Sequence, residues 1–276
     1  MIGQKKITEH LKKLIAENRL PRFCLLVGDK GSGRRTMSQW IGEQIGYTVE
    51  ICGISADEVR DVIEQAYKTV TPILYVFADA DNMSISAKNA LLKVTEEPPN
   101  NARFIMTLMN VENTLVTIRS RATTFYMDMY TDDEIMAMYR QCGGIGDEQT
   151  VKDYCNTLYD VQLLLSYGII AFKDYVILTI EHIDKVSGAN SFKIGQKLDL
   201  GTDEKKYDLE LFWKAFRVEC LKRITDIPFK YAKGITITSD HMYDLRIAGV
   251  NKQMCFDDWV LAIRKDWMQY ANSDEN

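Results

Sequence analysis

The sequence predicts an α/β protein: a parallel sheet covered by helices in the first half of the chain, followed by an all-helical second half. Three observations carry this. Phe23–Val27 and Ile73–Phe77 are short, continuous apolar runs, the composition of strands buried on both faces, and Phe104–Leu108 reads as a further strand. Segments with helical apolar spacing lie between them, and strands alternating with helices specify parallel pairing. From Thr131 onward the strand signal stops and helical periodicity takes over.

The elements follow in order. Ile7, Leu11, Leu14 and Ile15 form one face of a first helix over 7–18, ended by Pro21. The strand Phe23–Val27 runs into the glycine-rich turn at 28–33, and the next helix carries Met37, Trp40, Ile41 and Ile45. Tyr47–Cys52 alternates like a short strand. Ser55, with Glu58 three residues later, reads as a helix cap. After the strand Ile73–Phe77, Ser84 or Ser86 caps the helix bearing Asn89 to Leu92. Strands at Phe104–Leu108 and Thr123–Met127 follow.

In the second half, Thr131 with Glu134 opens a helix, and Cys142-Gly143-Gly144-Ile145-Gly146 breaks the chain. Helical patterns then cover 147–156, 160–166 and 170–185, and Ser187-Gly188-Ala189-Asn190 breaks it again. Leu209–Ile224 and Phe256–Tyr270 read as two strong helices. Ile235-Thr236-Ile237-Thr238 has strand composition and is expected to be a loop between them. Residues 272–276 read as a polar tail. Trp213, Phe216 and Leu221 are expected in the core or at an interface.

Composition excludes several classes. A length of 276 residues suggests about two domains. A net charge of −5 argues against a chain that coats nucleic acid by itself. No apolar run approaches the ~20 residues of a membrane helix, and the amphipathic start is unlike a signal peptide. The six cysteines contain no CxxC spacing. Cys24 and Cys220 sit in apolar patterns, so buried free thiols in a reducing, cytoplasmic compartment are expected. His10, His182 and His241 do not cluster with cysteine, so no metal site is expected.

The turn after the first strand has the layout of a phosphate loop, Gly28-x-x-x-x-Gly33 with Gly31 between, opening a helix. Backbone N–H groups and the helix N-terminus can cradle an anion there. A working loop continues with Lys, which reaches the terminal phosphates, and Ser or Thr, whose hydroxyl holds magnesium. Here those places are Arg34 and Arg35, with Thr36 one position late. Arg34 keeps the charge in a longer, planar fork, and Arg35 has no oxygen for a metal. Either the loop binds nucleotide weakly or not at all, or it is a structural turn; simple anion binding stays open.

Asn89-Ala90-Leu91-Leu92-Lys93, Glu96-Glu97-Pro98-Pro99 and Thr117-Ile118-Arg119-Ser120-Arg121 resemble the AAA+ module of sliding-clamp loaders, most closely the delta-prime family of bacterial DNA polymerase III. Ile2-Gly3-Gln4 and Ile54–Arg60 are similar to the same family. The resemblance is dense over 2–130 and thinner to about 200. It implies an AAA+ P-loop sheet domain over 1–129, a helical lid over 130–188 and a helical collar domain over 189–276.

The resemblance also implies further losses. An active member ends its Ile73–Phe77 strand in Asp-Glu, Asp for magnesium and Glu for the attacking water. Ala78 stands at the first place and Asp79 at the second, one methylene short. Asp81 is usual in the family and is no replacement ligand. The polar sensor falls at Met109, with Thr107 or Asn110 as substitutes one or two positions away, and the lid arginine is Gln162. ATP and magnesium binding are therefore expected to be weak or absent. The zinc insertion of many relatives is missing, Tyr47–Gly53 closing the gap, so zinc is expected to be absent.

What remains is Arg121. In Ser120-Arg121 it matches the family's Ser-Arg-Cys motif, with Ala122 in place of Cys. That arginine reaches the γ-phosphate of ATP held by a neighbouring subunit, a finger supplied in trans. The simpler alternative is that Arg119 and Arg121 are surface arginines paired with acids such as Asp128 or Glu97. The implied function is an ATPase-inactive clamp-loader subunit in a hetero-oligomeric ring, acting with the sliding clamp and with primed DNA through the complex. Two other readings stay open, a divergent but active AAA+ ATPase and an AAA+ protein of helicase-loading or recombination type.

Overall fold

The computed structural model describes residues 3–185, 192–201, 206–247 and 249–271. The chain divides into two compact units, Met1–Thr131 and Asp132–Asn276.

The first unit contains α1 (Lys5–Ala16), β1 (Phe23–Val27), α2 (Arg34–Ile45), β2 (Thr48–Cys52), α3 (Ala56–Lys68), β3 (Ile73–Phe77), α4 (Ile85–Ala90), α5 (Leu92–Glu96), β4 (Ala102–Leu108), α6 (Val116–Arg119) and β5 (Thr123–Tyr126). The strands form one five-stranded parallel sheet in the order β2-β3-β4-β1-β5. Side chains alternate across a strand, and here both faces are apolar. Phe23, Leu25 and Val27 join Tyr75, Phe77, Phe104 and Met106 under α3 and α4. Cys24 and Leu26 join Leu74, Val76 and Ile105 under α1 and α2. This is why the central strands read as continuous apolar runs. β2 lies at an edge and is largely exposed, which matches its weaker, alternating pattern.

Local signals act as the sequence implies. Ser55 and Glu58 form a reciprocal capping box on α3. Ser84, not Ser86, caps α4, and the helix expected through Leu92 is interrupted at Leu91 before α5. Gln4 reaches across to the end of β5: its Nε2 donates to Asp128 O at 2.9 Å, and its Oε1 accepts from Asp128 N at 2.7 Å. The Asp128 carboxylate in turn accepts from the backbone N–H groups of Lys6 and Ile7 at the start of α1.

The second unit contains α7 (Asp132–Gln141), α8 (Glu148–Tyr154), α9 (Leu158–Tyr167), α10 (Ile169–His182), α11 (Leu209–Lys222), α12 (Pro228–Leu245) and α13 (Lys252–Ala271). α11 packs against α8 and α10, so helices from both sides of residue 188 share this unit. Its centre is aromatic: Phe212, Trp213, Phe216, Phe256, Trp259 and Trp267 are fully buried. Leu221, in contrast, is 58% exposed and outside that core. Two buried ion pairs brace the helices. Lys214 Nζ lies 3.0 Å from Asp160 Oδ1, and Lys230 Nζ 2.6 Å from Asp184 Oδ2. Buried charges persist only when paired in this way.

Two expectations are corrected here. Ile235–Thr238 is not a loop but part of α12. Strand structure does not end at Thr131, because Leu198–Asp199 (β6) pairs in parallel with Tyr207–Asp208 (β7). The breaker at 187–190 and the tail at 272–276 lie outside the described residues, as does Ile2. No single described helix is long and apolar enough to cross a membrane; α9 and α10 pass only as a pair bent by 90°.

Candidate functional site

β1 delivers the chain into the loop, and Gly28 N donates to Leu108 O at 3.0 Å. Gly31 and Gly33 have φ of 82° and 90°, values that favour glycine. Gly33 is the N-cap residue of α2, and Arg34 begins the helix. The outer side of the loop is lined by the segment after β5. A Cβ on Gly28 would stand 2.8 Å from Met127 Cβ, and one on Gly33 3.3 Å from the Tyr130 hydroxyl oxygen. Tyr130 also donates its hydroxyl to Ser32 O at 2.9 Å. Met127 and Tyr130 thus complete the loop, and neither was legible as a site residue in the sequence.

Asp79 closes the other side. It sits one residue past Ala78 at the end of β3, with φ 53° and ψ 44°, a left-handed conformation that is uncommon without glycine. Its N–H donates to Thr107 Oγ1 on β4 at 2.9 Å. Its carboxylate bridges both arginines of the loop: Oδ1 is 3.2 Å from Arg34 Nη2 and Oδ2 2.6 Å from Arg35 Nη2. Arg34 is buried and Arg35 exposed. Burial lowers the Arg34 guanidinium from its usual value, and the carboxylates of Asp79, Asp81 and Asp29 oppose this. Arg34 Nη1 and Ser32 Oγ are buried without hydrogen-bond partners among the described residues.

This donor set lacks the oxygen ligands that the resemblance implies for a metal–nucleotide. Arg35 stands where a magnesium-binding hydroxyl belongs, and Thr36 is exposed on the first turn of α2. Ala78, 8% exposed, presents a methyl where a carboxylate belongs. Both substitute sensors are engaged elsewhere. Thr107 is fully buried and holds Asp79 N, while Asn110 Oδ1 accepts from Glu112 N at 2.9 Å. Gln162 is exposed on α9, in the second unit. Among the described residues, no three His, Cys, Asp or Glu side chains converge as metal ligands.

Asp81 has a different task. Its carboxylate, buried beyond Asp79, accepts from Met109 N at 2.8 Å, Asn110 N at 3.1 Å and Asn113 Nδ2 at 2.9 Å. Lys88, also buried, donates to Asn113 O. Burial lowers the Lys88 ammonium from its usual value and Asp81 counteracts it. These groups tie the end of β3 to the segment that leads from β4 into α6.

Arg121 follows α6 and is exposed. Its Nη1 donates to Thr117 O at 2.9 Å, and its Nη2 lies 2.9 Å from Glu96 Oε1. Arg119 pairs with Glu112. The acids weighed from the sequence, Glu97 and Asp128, are therefore not the partners. The Glu96 pairing could not be chosen from spacing, because it depends on how α5 and α6 meet in space.

A sequence model of the family described as DNA polymerase III, delta subunit, matches residues 48–130, a stretch that holds Asp79, Asp81 and Arg121. The DNA polymerase III subunit gamma of Buchnera aphidicola is 26% identical over 217 residues, 64% of this chain and 60% of that protein. The replication factor C small subunit of Saccharolobus solfataricus is 23% identical over 206 residues, 68% of this chain and 62% of that protein. The chain is thus similar to clamp-loader AAA+ subunits of the DNA polymerase III and replication factor C kind. It spans about 60% of the length of those curated relatives. The fold is shared with a DNA polymerase III gamma subunit-related protein of Thermotoga maritima, at a TM-score of 0.50 and 17% identity, covering 93% of this chain and 99% of that one.

Proposed function

We propose that this chain is a delta-prime-like subunit of a clamp loader: it does not hydrolyse ATP itself and donates Arg121 in trans to a neighbouring ATPase subunit. The observation that carries the proposal is an asymmetry within one unit. The chain's own site has a methyl at Ala78 where magnesium needs a carboxylate, whereas Arg121 is exposed, with its side chain 40% accessible. A guanidinium facing solvent can reach a nucleotide held by another chain. There it offsets charge on the transferring phosphoryl group.

In this reading the lid runs over 130–188, starting two residues before the second unit, and the collar over 189–276 holds a hetero-oligomeric ring together. The partners are other clamp-loader subunits, the sliding clamp, and primed DNA reached through the complex. The setting is the cytoplasm, in DNA replication. The match of the delta-subunit family over 48–130 supports the choice, and so does the Arg34–Asp79–Arg35 bridge, which engages the loop's cations internally.

Calorimetric titration of the purified chain tests the inactive half of the proposal. Magnesium-ATP should give no measurable binding at micromolar concentrations, and turnover should stay at background. Micromolar affinity with magnesium-dependent hydrolysis would establish the divergent-ATPase reading instead.

A further inference from the structure

We infer that Asp79 is a built-in anion that blocks the glycine loop by taking the place of a phosphate between Arg34 and Arg35. The inference rests on the reading that the loop holds no nucleotide, and it names the group responsible. The geometry is specific. One carboxylate meets two guanidinium groups, at 3.2 and 2.6 Å, through separate oxygens. Each contact is a charge-assisted guanidinium–oxyanion bond, the same interaction that holds phosphate oxygens. The segments involved are 45 and 44 residues apart in sequence, so the contact is a feature of the tertiary fold.

Backbone conformation gives an independent observation. Asp79 adopts a left-handed conformation that costs free energy for a residue with a Cβ. Thr107 Oγ1 and the two arginines fix it there. The carboxylate is held over the start of α2, whose free N–H groups and macrodipole favour negative charge. The loop also retains two buried donors without partners, Arg34 Nη1 and Ser32 Oγ. A single carboxylate has fewer oxygens than a phosphate and leaves them unmatched. The site is thus anion-selective in its donors and blocked by the chain's own charge.

Neutralising the carboxylate should therefore create anion affinity. Asp79→Asn is the variant of choice, because asparagine tolerates the left-handed conformation and keeps the shape. The probe is inorganic pyrophosphate, titrated calorimetrically at low salt without metal into the full-length chain. The wild type should show no binding up to millimolar concentrations, and Asp79→Asn should bind at least about tenfold more tightly. Asp79→Gly removes the side chain and the backbone cost together and should show the same gain if the asparagine variant folds poorly. Arg35→Gln added to Asp79→Asn should abolish the gain. Asp57→Asn, an equal charge change at an exposed aspartate on α3, should produce none.

No gain in either Asp79 variant would overturn the inference while leaving the ATPase-inactive reading intact. An equal gain in the Asp57 control would also overturn it, since net charge alone would then account for the effect. Wild-type binding of magnesium-ATP at micromolar concentration would instead remove the reading on which the inference rests.

Discussion

Arg121→Ala in a reconstituted clamp loader should lower DNA-stimulated ATP hydrolysis at the one neighbouring site it serves by about 10³–10⁵-fold, the contribution of an arginine finger to phosphoryl transfer. Assembly should be unchanged, because the side chain contributes little to its own fold. It is exposed, its ion pair with Glu96 is more than a third accessible on both sides, and its other bond goes to the Thr117 carbonyl. Exposed pairs of this kind contribute about 0–1 kcal/mol. Arg121→Lys should recover only part of the rate, since an ammonium keeps the charge without the planar fork. Steady-state hydrolysis and size-exclusion chromatography on the same samples separate chemistry from assembly. Unchanged hydrolysis with Arg121→Ala would remove the finger role.

Asp81→Ala should be the most destabilising of the site substitutions, by about 3–5 kcal/mol. It leaves two buried backbone donors at Met109 and Asn110 without their acceptor. It also removes the carboxylate that compensates the buried Lys88 ammonium. For a unit of this size the melting transition should fall by roughly 10–20 °C, followed by circular dichroism or scanning calorimetry. A shift of only a degree or two would mean that the loop after β4 does not depend on Asp81. Because that loop leads into α6 and Arg121, any hydrolysis defect of Asp81→Ala should disappear at temperatures where its fold is intact, unlike the defect of Arg121→Ala.

The sheet was legible because its central strands are buried on both faces. β1 and β3 coincide with continuous apolar runs, since side chains pointing either way meet helices. The helical second half was legible by period, with one failure. Ile235–Thr238 has β-branched composition, yet it is helical, with the Thr236 and Thr238 hydroxyls accommodated by donating to the carbonyls of Ala232 and Gly234 one turn earlier. Thr238 Oγ1 also accepts from the buried Trp259 indole N–H. That tertiary bond outweighs intrinsic preference and leaves no trace in local sequence. The β6–β7 pair escaped because each strand is two residues long.

At the site, the glycines could be read from residue identity, while the missing oxygen ligands are what the resemblance implies. The pairings could be read from neither. Asp79 reads in sequence as a shortened glutamate, whereas in the fold it bridges Arg34 and Arg35. The sequence offers acids such as Glu97 and Asp128 for Arg119 and Arg121, whereas the fold pairs them with Glu112 and Glu96.

The most direct test is photolabelling with an ATP analogue whose reactive group sits on the γ-phosphate, followed by peptide mapping of this chain. In isolation the chain should take up no label. Within the assembled, DNA-bound complex it should be labelled on the peptide around Arg121, because that is where a neighbour's γ-phosphate would lie. Labelling of residues 28–36 in the isolated chain, with none near Arg121 in the complex, would contradict the account.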